Sequence, residues 1–299
     1  MSRRRGPSHE RPSGWLLIAP SAWLYLLCFV VPISVIAVYS LGHKPPLESA
    51  ATIDLSHPSL ANFRDALSGT FLEIFEYTLW TASLGTLLCL VVGYPVAYWL
   101  ATRCPEGWRA ALVAAIVLPS WTSFLLRTFA WRIVLSANGP LSTWLQRASL
   151  VAEPLHVLDT RAAVQLGVVY NYLPLMILPL FVALDRLDPR LREASQDLGA
   201  TPLQTFARVT WPLSLPGVLA GSMLVFIPLA GEYVTPAILG GARGTMAGGL
   251  LASQFLDAQN WPLGAAQAIV LVASIGGAIS AGGLCRAVAR TLAARARQG

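Results

Sequence analysis

About six long apolar runs, separated by shorter polar stretches, constrain this chain more than any other feature. They lie near residues 15–41, 77–101, 110–134, 164–184, 213–239 and 265–288. A helix rises 1.5 Å per residue, so roughly 20 residues cross the ~30 Å hydrocarbon core of a bilayer. Each run is long enough to do so. Lipid offers no partner to a backbone N–H or C=O, which leaves the helix and the closed barrel as spanning structures. Nothing in the sequence alternates in ten-residue strands, so the expected fold is all-α and polytopic. A 55% hydrophobic and 12% charged composition with mean hydropathy +0.58 decides against a soluble domain.

The apolar runs also set the domain organisation. Residues 1–14, MSRRRGPSHERPSG, read as a basic tail, 15–288 as one membrane domain, and 289–299 as a second tail. The first run is too long for the ~7–15-residue core of a cleaved signal peptide and reads as a retained anchor, bent at Pro20 and Pro32. Between 43 and 76 lies a polar interval with a short surface helix expected over 60–67.

Arginine gives the orientation. With the first tail inside, one side of the membrane holds Arg3, Arg4, Arg5 and Arg11, then Arg103 and Arg109, Arg186, Arg190, Arg192 and Arg208, and finally Arg286, Arg290, Arg295 and Arg297. The other side holds Lys44, Arg64, Arg127, Arg132, Arg147, Arg161 and Arg243. Both termini and the 185–212 interval are therefore expected in the cytoplasm.

That interval is marked as two short helices. Asp188 suits an N-cap and Pro189 the first helical position, where a missing N–H is harmless. Gly199 supplies a left-handed end. Thr201 then caps a second helix, with Pro202 at its first position and Gln204 placed to close a capping box. Pro212 is expected to stop it. Glu193 and Asp197 lie four apart on one helical face, where like charges repel by a few tenths of a kcal/mol unless a basic group approaches. Arg190 within the helix, or another protein, would supply it.

The spacing E-A-S-x3-G-x9-V-x-W-P, from Glu193 to Pro212, resembles the cytoplasmic EAA loop of permease subunits in bacterial ABC importers, whose pattern is E-A-A-x3-G-x9-I-x-L-P. Ser195, Val209 and Trp211 depart from it. In that family the loop contacts the ATPase, and the resemblance implies the same coupling role for Glu193, Ala194, Ser195, Asp197, Gly199, Val209 and Pro212. The segments YPVAYWLA, LPSWTSFLLRTFAW, YNYLPLMILPL and NWPLGAA, in that order, look like the spermidine/putrescine permeases. The resemblance implies ABC ATPase subunits, a second homologous permease, a periplasmic solute-binding protein and membrane lipid as partners in a bacterial inner membrane. Polyamine is the favoured solute, with opines or another small organic nutrient as alternatives. An ion-coupled secondary carrier is disfavoured, since the halves show no repeat.

Catalytic and metal chemistry are not expected. The single lysine, Lys44, sits in HKPP and not in a phosphate-cradling G-x4-G-K-[ST] loop. His9, His43, His57 and His156 form no ligand pair, no G-x-S-x-G is present, and Cys28, Cys89, Cys104 and Cys285 have no metal spacing. No cofactor is called for. The basic residues are scattered rather than gathered with aromatics, which argues against nucleic acid.

Polar and ionisable residues within the runs are the solute-pathway candidates. Glu232 lies in PLAGEYVTP near the outer end of the fifth run. Tyr170, Asn171 and Tyr172 interrupt the fourth, where aromatic faces can hold an organic cation and an amide can equally bridge helices. Tyr94, with Tyr98, Trp121 and Trp261, offers an aromatic cage or a set of interface anchors. Arg127 must pair, snorkel or face water, and Glu232 is a possible partner. In the last run, Gly276 with Ser280 and Gly277 with Ala281 place small residues four apart for close helix packing.

Overall fold

The computed structural model describes residues 14–45 and 53–295; the backbone is helical along most of each apolar run, and no strand forms among the described residues. The tail expected at 1–14 lies outside them except for Gly14, and the chain from 289 is still helical as far as Arg295. Two compact units are distinguished, Met1–Leu67 with Gln254–Val270, and Ser68–Ser253 with Leu271–Gly299.

In the first unit, α1 (Gly14–Tyr25) passes through a π turn, Leu26–Val30, into α2 (Val31–Tyr39). Pro32 would drive its ring into the carbonyl four residues back, and the wider turn makes room: the Val31 N–H reaches Leu26 instead. No residue of Pro20–Tyr39 is buried within the chain, so Trp23, Phe29 and Ile33 all face outward. Asn62, on α3 (Ala61–Ala66), donates to the Ser40 and Gly42 carbonyls at 3.0 and 2.7 Å and ties off the end of α2. This is the surface helix expected over 60–67.

The second unit is built on three long helices. α4 (Gly69–Thr102) runs to α5 (Glu106–Val117), which ends in a 3-10 turn, Leu118–Trp121. The chain then bends by 89° into α6 (Phe124–Val134). The single span expected over 110–134 is thus a broken pair. Pro119 and the extended residues Thr122 and Ser123 cause the break. The carbonyl it frees, on Pro119, accepts from Arg127 at 2.8 Å and from the Thr122 hydroxyl at 2.7 Å.

After α7 (Pro140–Arg147), α8 (Arg161–Asp185) returns through the unit, with Thr160 capping it by accepting the Ala163 N–H. α9 (Arg190–Asp197) and α10 (Pro202–Thr205) follow, and α11 (Trp211–Ala230) is the third long helix. It stops nine residues short of the run expected to reach 239. Pro228, Gly231 and Pro236 crowd that end, and the chain re-enters as a π turn, Pro236–Gly240, before α12 (Ala247–Leu256) and α13 (Trp261–Arg295).

Glycine decides how closely the three helices approach. A Cβ at Gly217 would fall 2.4 Å from the Cβ of Ala183, and one at Gly221 would fall 2.8 Å from the Met176 sulfur. These two lie four apart on α11 and bring its backbone against α8. Cys89, Ala97, Val168, Met176, Leu180, Val225 and Leu229 fill the core so formed. Among the described residues nothing packs closely at Gly276 or Gly277, where a Cβ at either would meet nothing within 4 Å.

Candidate coupling site and solute pathway

The polar interval begins where α8 ends. Asp185 takes a 2.8 Å ion pair from Arg109, fixing the start of the loop to α5. The Asp188 carboxylate accepts the Arg190 N–H at 2.9 Å, as a helix start requires. Helix α9 closes with two reciprocal bonds, Ala200 N–H to Ser195 C=O at 3.1 Å and Gly199 N–H to Gln196 C=O at 2.8 Å. Gly199 has φ +85 and open space around its Cβ position, so backbone angle alone demands glycine here.

Thr201 and Gln204 form the capping box reciprocally, at 3.3 and 3.0 Å. The two arms are joined by Ser195 Oγ and Thr205 Oγ1, 3.1 Å apart.

Pro212 does not stop the second helix. A π turn, Phe206–Thr210, widens the backbone ahead of the proline ring, and Pro202–Ala230 is one helical path of 29 residues. Phe206 roots this turn among the rings of Tyr94 and Tyr98, at 5.7 and 5.9 Å. Tyr94 also meets the Trp211 ring at 5.3 Å and shares a 2.8 Å hydrogen bond with Ser214. Tyr94 and Tyr98 therefore pack beneath the loop rather than in an aromatic cage, and Val209 is half-buried beside Thr210.

Glu193, Ala194 and Asp197 are exposed, and neither acid has an ionic partner among the described residues, Arg190 included. Leu198 and Leu203, 89% and 77% exposed, stand on the two arms either side of Gly199. Sequence reasoning passed over both, although each is an apolar residue in a polar helical loop. Burying a leucine is worth roughly 1.5–3 kcal/mol, so the pair offers a partner protein a strong anchor.

The pathway candidates separate into two groups. Tyr172 donates to Glu232 Oε2 at 2.5 Å, while Oε1 accepts the N–H groups of Val234 and Thr235 at 2.9 and 3.1 Å. Glu232 thus caps the helical turn that starts at Val234, a place where negative charge is favoured. Arg127, on the Pro119 carbonyl, is not its partner. Asn171 donates to Thr128 at 3.3 Å, and its Oδ1 is buried without a partner.

Tyr170 turns away from this cluster, 40% exposed and 5.3 Å from the Trp131 ring. Trp121 is 83% exposed at the break after α5, and Trp261 stacks edgewise on Phe255. A cavity of about 680 Å³ opens between the first halves of α4 and α8, with Trp80, Tyr170 and Trp131 on its walls. Only Tyr170 among these was singled out by sequence, because the groove depends on how two distant helices pair.

Membrane-length helices carrying a capped, leucine-tipped polar loop between two of them define a polytopic membrane protein. Residues 20–293 match the family described as "Binding-protein-dependent transport system inner membrane component", and the chain belongs to it. It is 34% identical over 261 residues to the spermidine/putrescine transport system permease protein PotB of Escherichia coli (strain K12), covering 87% of this chain and 93% of that one. PotB of Haemophilus influenzae is 35% identical over 250 residues, with 84% and 85% covered. A molybdenum transport system permease protein, ModB of Azotobacter vinelandii, is 32% identical over 175 residues, with 58% and 75% covered. The crystal structure of a bacterial ABC transporter involved in the import of alginate shares the fold, at TM-score 0.67 and 16% identity over 89% of this chain and 92% of the other.

The chain is thus a multi-pass inner-membrane permease subunit of an ABC importer.

Proposed function

We propose that this permease imports polyamines, and that the 185–212 loop is its grip on the ATPase. The loop carries the reading: Leu198 and Leu203 stand bare on arms closed by the bonded Gly199 corner and the Thr201–Gln204 capping box, a shape set before a partner arrives. The ATPase is a separate chain, since this one has no phosphate-cradling loop. A second homologous permease completes the pathway, a periplasmic solute-binding protein delivers to it, and both termini lie in the cytoplasm with the loop.

ATP-driven closure of the ATPases moves the loop, and α8 and α11, which run into it from either side, reorient the pathway. The difference in binding energy between the two states supplies the coupling. Support for polyamine comes from the spermidine/putrescine permeases, related over most of the chain. The test is uptake of labelled putrescine and spermidine by cells with and without the gene, in parallel with Glu193→Ala. Loss in both is expected. Unchanged uptake in the deletion strain would reject polyamine as the solute and leave the permease assignment standing.

A further inference from the structure

We infer that the groove between the first halves of α4 and α8 is a contact site for the cationic solute, its ammonium groups held at Glu73 and Glu76 and its carbon chain laid along Trp80 and Tyr170. The inference rests on the polyamine reading above and gives it a place in the fold.

The groove is continuous. Its apolar part, about 680 Å³, shares Tyr77 and Arg161 with two adjoining cavities of about 570 and 260 Å³, and Glu73 lines both of those. Glu76 lines the smaller one, together with Trp80. An acidic lip therefore leads directly into an aromatic trough. Arg161 opens α8 and Asp185 closes it, so the groove lies about 36 Å along the helix from the loop assigned to the ATPase. On the orientation given by the arginines, that is the end facing a periplasmic receptor.

Three observations point to an organic cation rather than to ordinary lipid contact. First, Glu73 and Glu76 are exposed and neither is in an ion pair among the described residues, so their charge is available. Second, the Trp80 and Tyr170 rings stand exposed on the groove's walls, and among the described residues no cation of the chain lies over either, Arg161 being taken up on Tyr77 at 4.5 Å. Third, the Tyr77 hydroxyl and the Gln165 amide nitrogen are buried with no hydrogen-bond partner, and both residues line the trough. An unpaired buried group costs about 1–3 kcal/mol, and an ammonium group, a donor only, would relieve that cost at the Tyr77 oxygen.

A lipid chain would leave the Tyr77 oxygen unsatisfied. An anion would find one guanidinium against two carboxylates. A linear polyamine matches the acidic lip with its ammonium groups and lays methylenes against Trp80, 65% exposed, and Tyr170.

The test is concentration-dependent spermidine uptake in a deletion strain carrying the wild-type gene, Glu73→Gln with Glu76→Gln, or Glu73→Asp with Glu76→Asp. Membrane levels of each protein and copurification of the ATPase are measured alongside. The Gln pair is expected to raise the half-saturating concentration about tenfold or more at wild-type membrane level, and the Asp pair to restore it largely. Trp80→Ala should raise it too. Wild-type affinity in the Gln pair, or equal loss in the Gln and Asp pairs, overturns the site and leaves polyamine import in place. No spermidine uptake with the wild-type gene overturns both.

Discussion

Tyr172 and Glu232 meet at 2.5 Å, joining the middle of α8 to the segment that re-enters after α11. The carboxylate is fully engaged, by one phenol and two backbone N–H groups, and is 7% exposed. Its first task is to hold the helices at this break. Tyr172→Phe removes the donor and leaves one buried oxygen unpaired, at a cost of about 1–3 kcal/mol. The unfolding midpoint of the detergent-purified protein should fall accordingly. Glu232→Gln, which keeps an oxygen for Val234 and Thr235, should lose less than Glu232→Ala. Wild-type stability in Tyr172→Phe would show that the bond does not hold these segments.

At Gly199 the backbone angle is the constraint, since no neighbour crowds the site. Gly199→Val forces a β-branched residue into φ +85, where even an unbranched one loses about 1–2 kcal/mol. The variant should insert into the membrane at normal levels yet separate ATP hydrolysis from uptake. Normal uptake would sink the idea that the corner sets the loop.

Leu198 and Leu203 make a different claim, about the partner's surface. Leu198→Asp and Leu203→Asp leave the folded chain unchanged in stability, because both side chains are already in water. Each should cut copurification of the ATPase at least about tenfold, the loss expected when one buried leucine contact becomes a desolvated charge. Undiminished copurification in both variants would move the interface elsewhere.

Gly221→Leu and Gly276→Leu compare two glycines that look alike in sequence. The first drives a side chain into the Met176 sulfur and main chain, and folded protein should be lost from the membrane. The second meets nothing among the described residues. Its protease resistance should match wild type, and sensitivity equal to that of Gly221→Leu would show that the last helix packs more tightly than described.

The contrast explains what sequence can and cannot convey. Local chemistry was legible: Asp188, Gly199, Thr201 and Gln204 each act on groups within a few residues, and the structure places all four as capping logic requires. Helical spans were legible because bilayer thickness fixes their length. Pro212 was misread, since a proline either ends a helix or sits behind a π turn, and the rings of Tyr94 and Tyr98 around Phe206 favour the second. The break at Pro119 and the pairing of Tyr172 with Glu232 were likewise hidden, being set by residues far apart in the chain. Small residues four apart occur on α11 and on α13, and only packing tells which pair is in use.

Because no corner interrupts Pro202–Ala230, the leucine-bearing arm and the third long helix form one continuous helical path. Its 29 residues span about 42 Å, so a tilt of about 5° at one end sweeps the other by nearly ~4 Å. On the coupling role proposed for the loop, a displacement at Leu203 would be carried along this helix toward Gly231. The glycine-lined seam against α8 would then be the surface along which such a movement reaches the neighbouring helix.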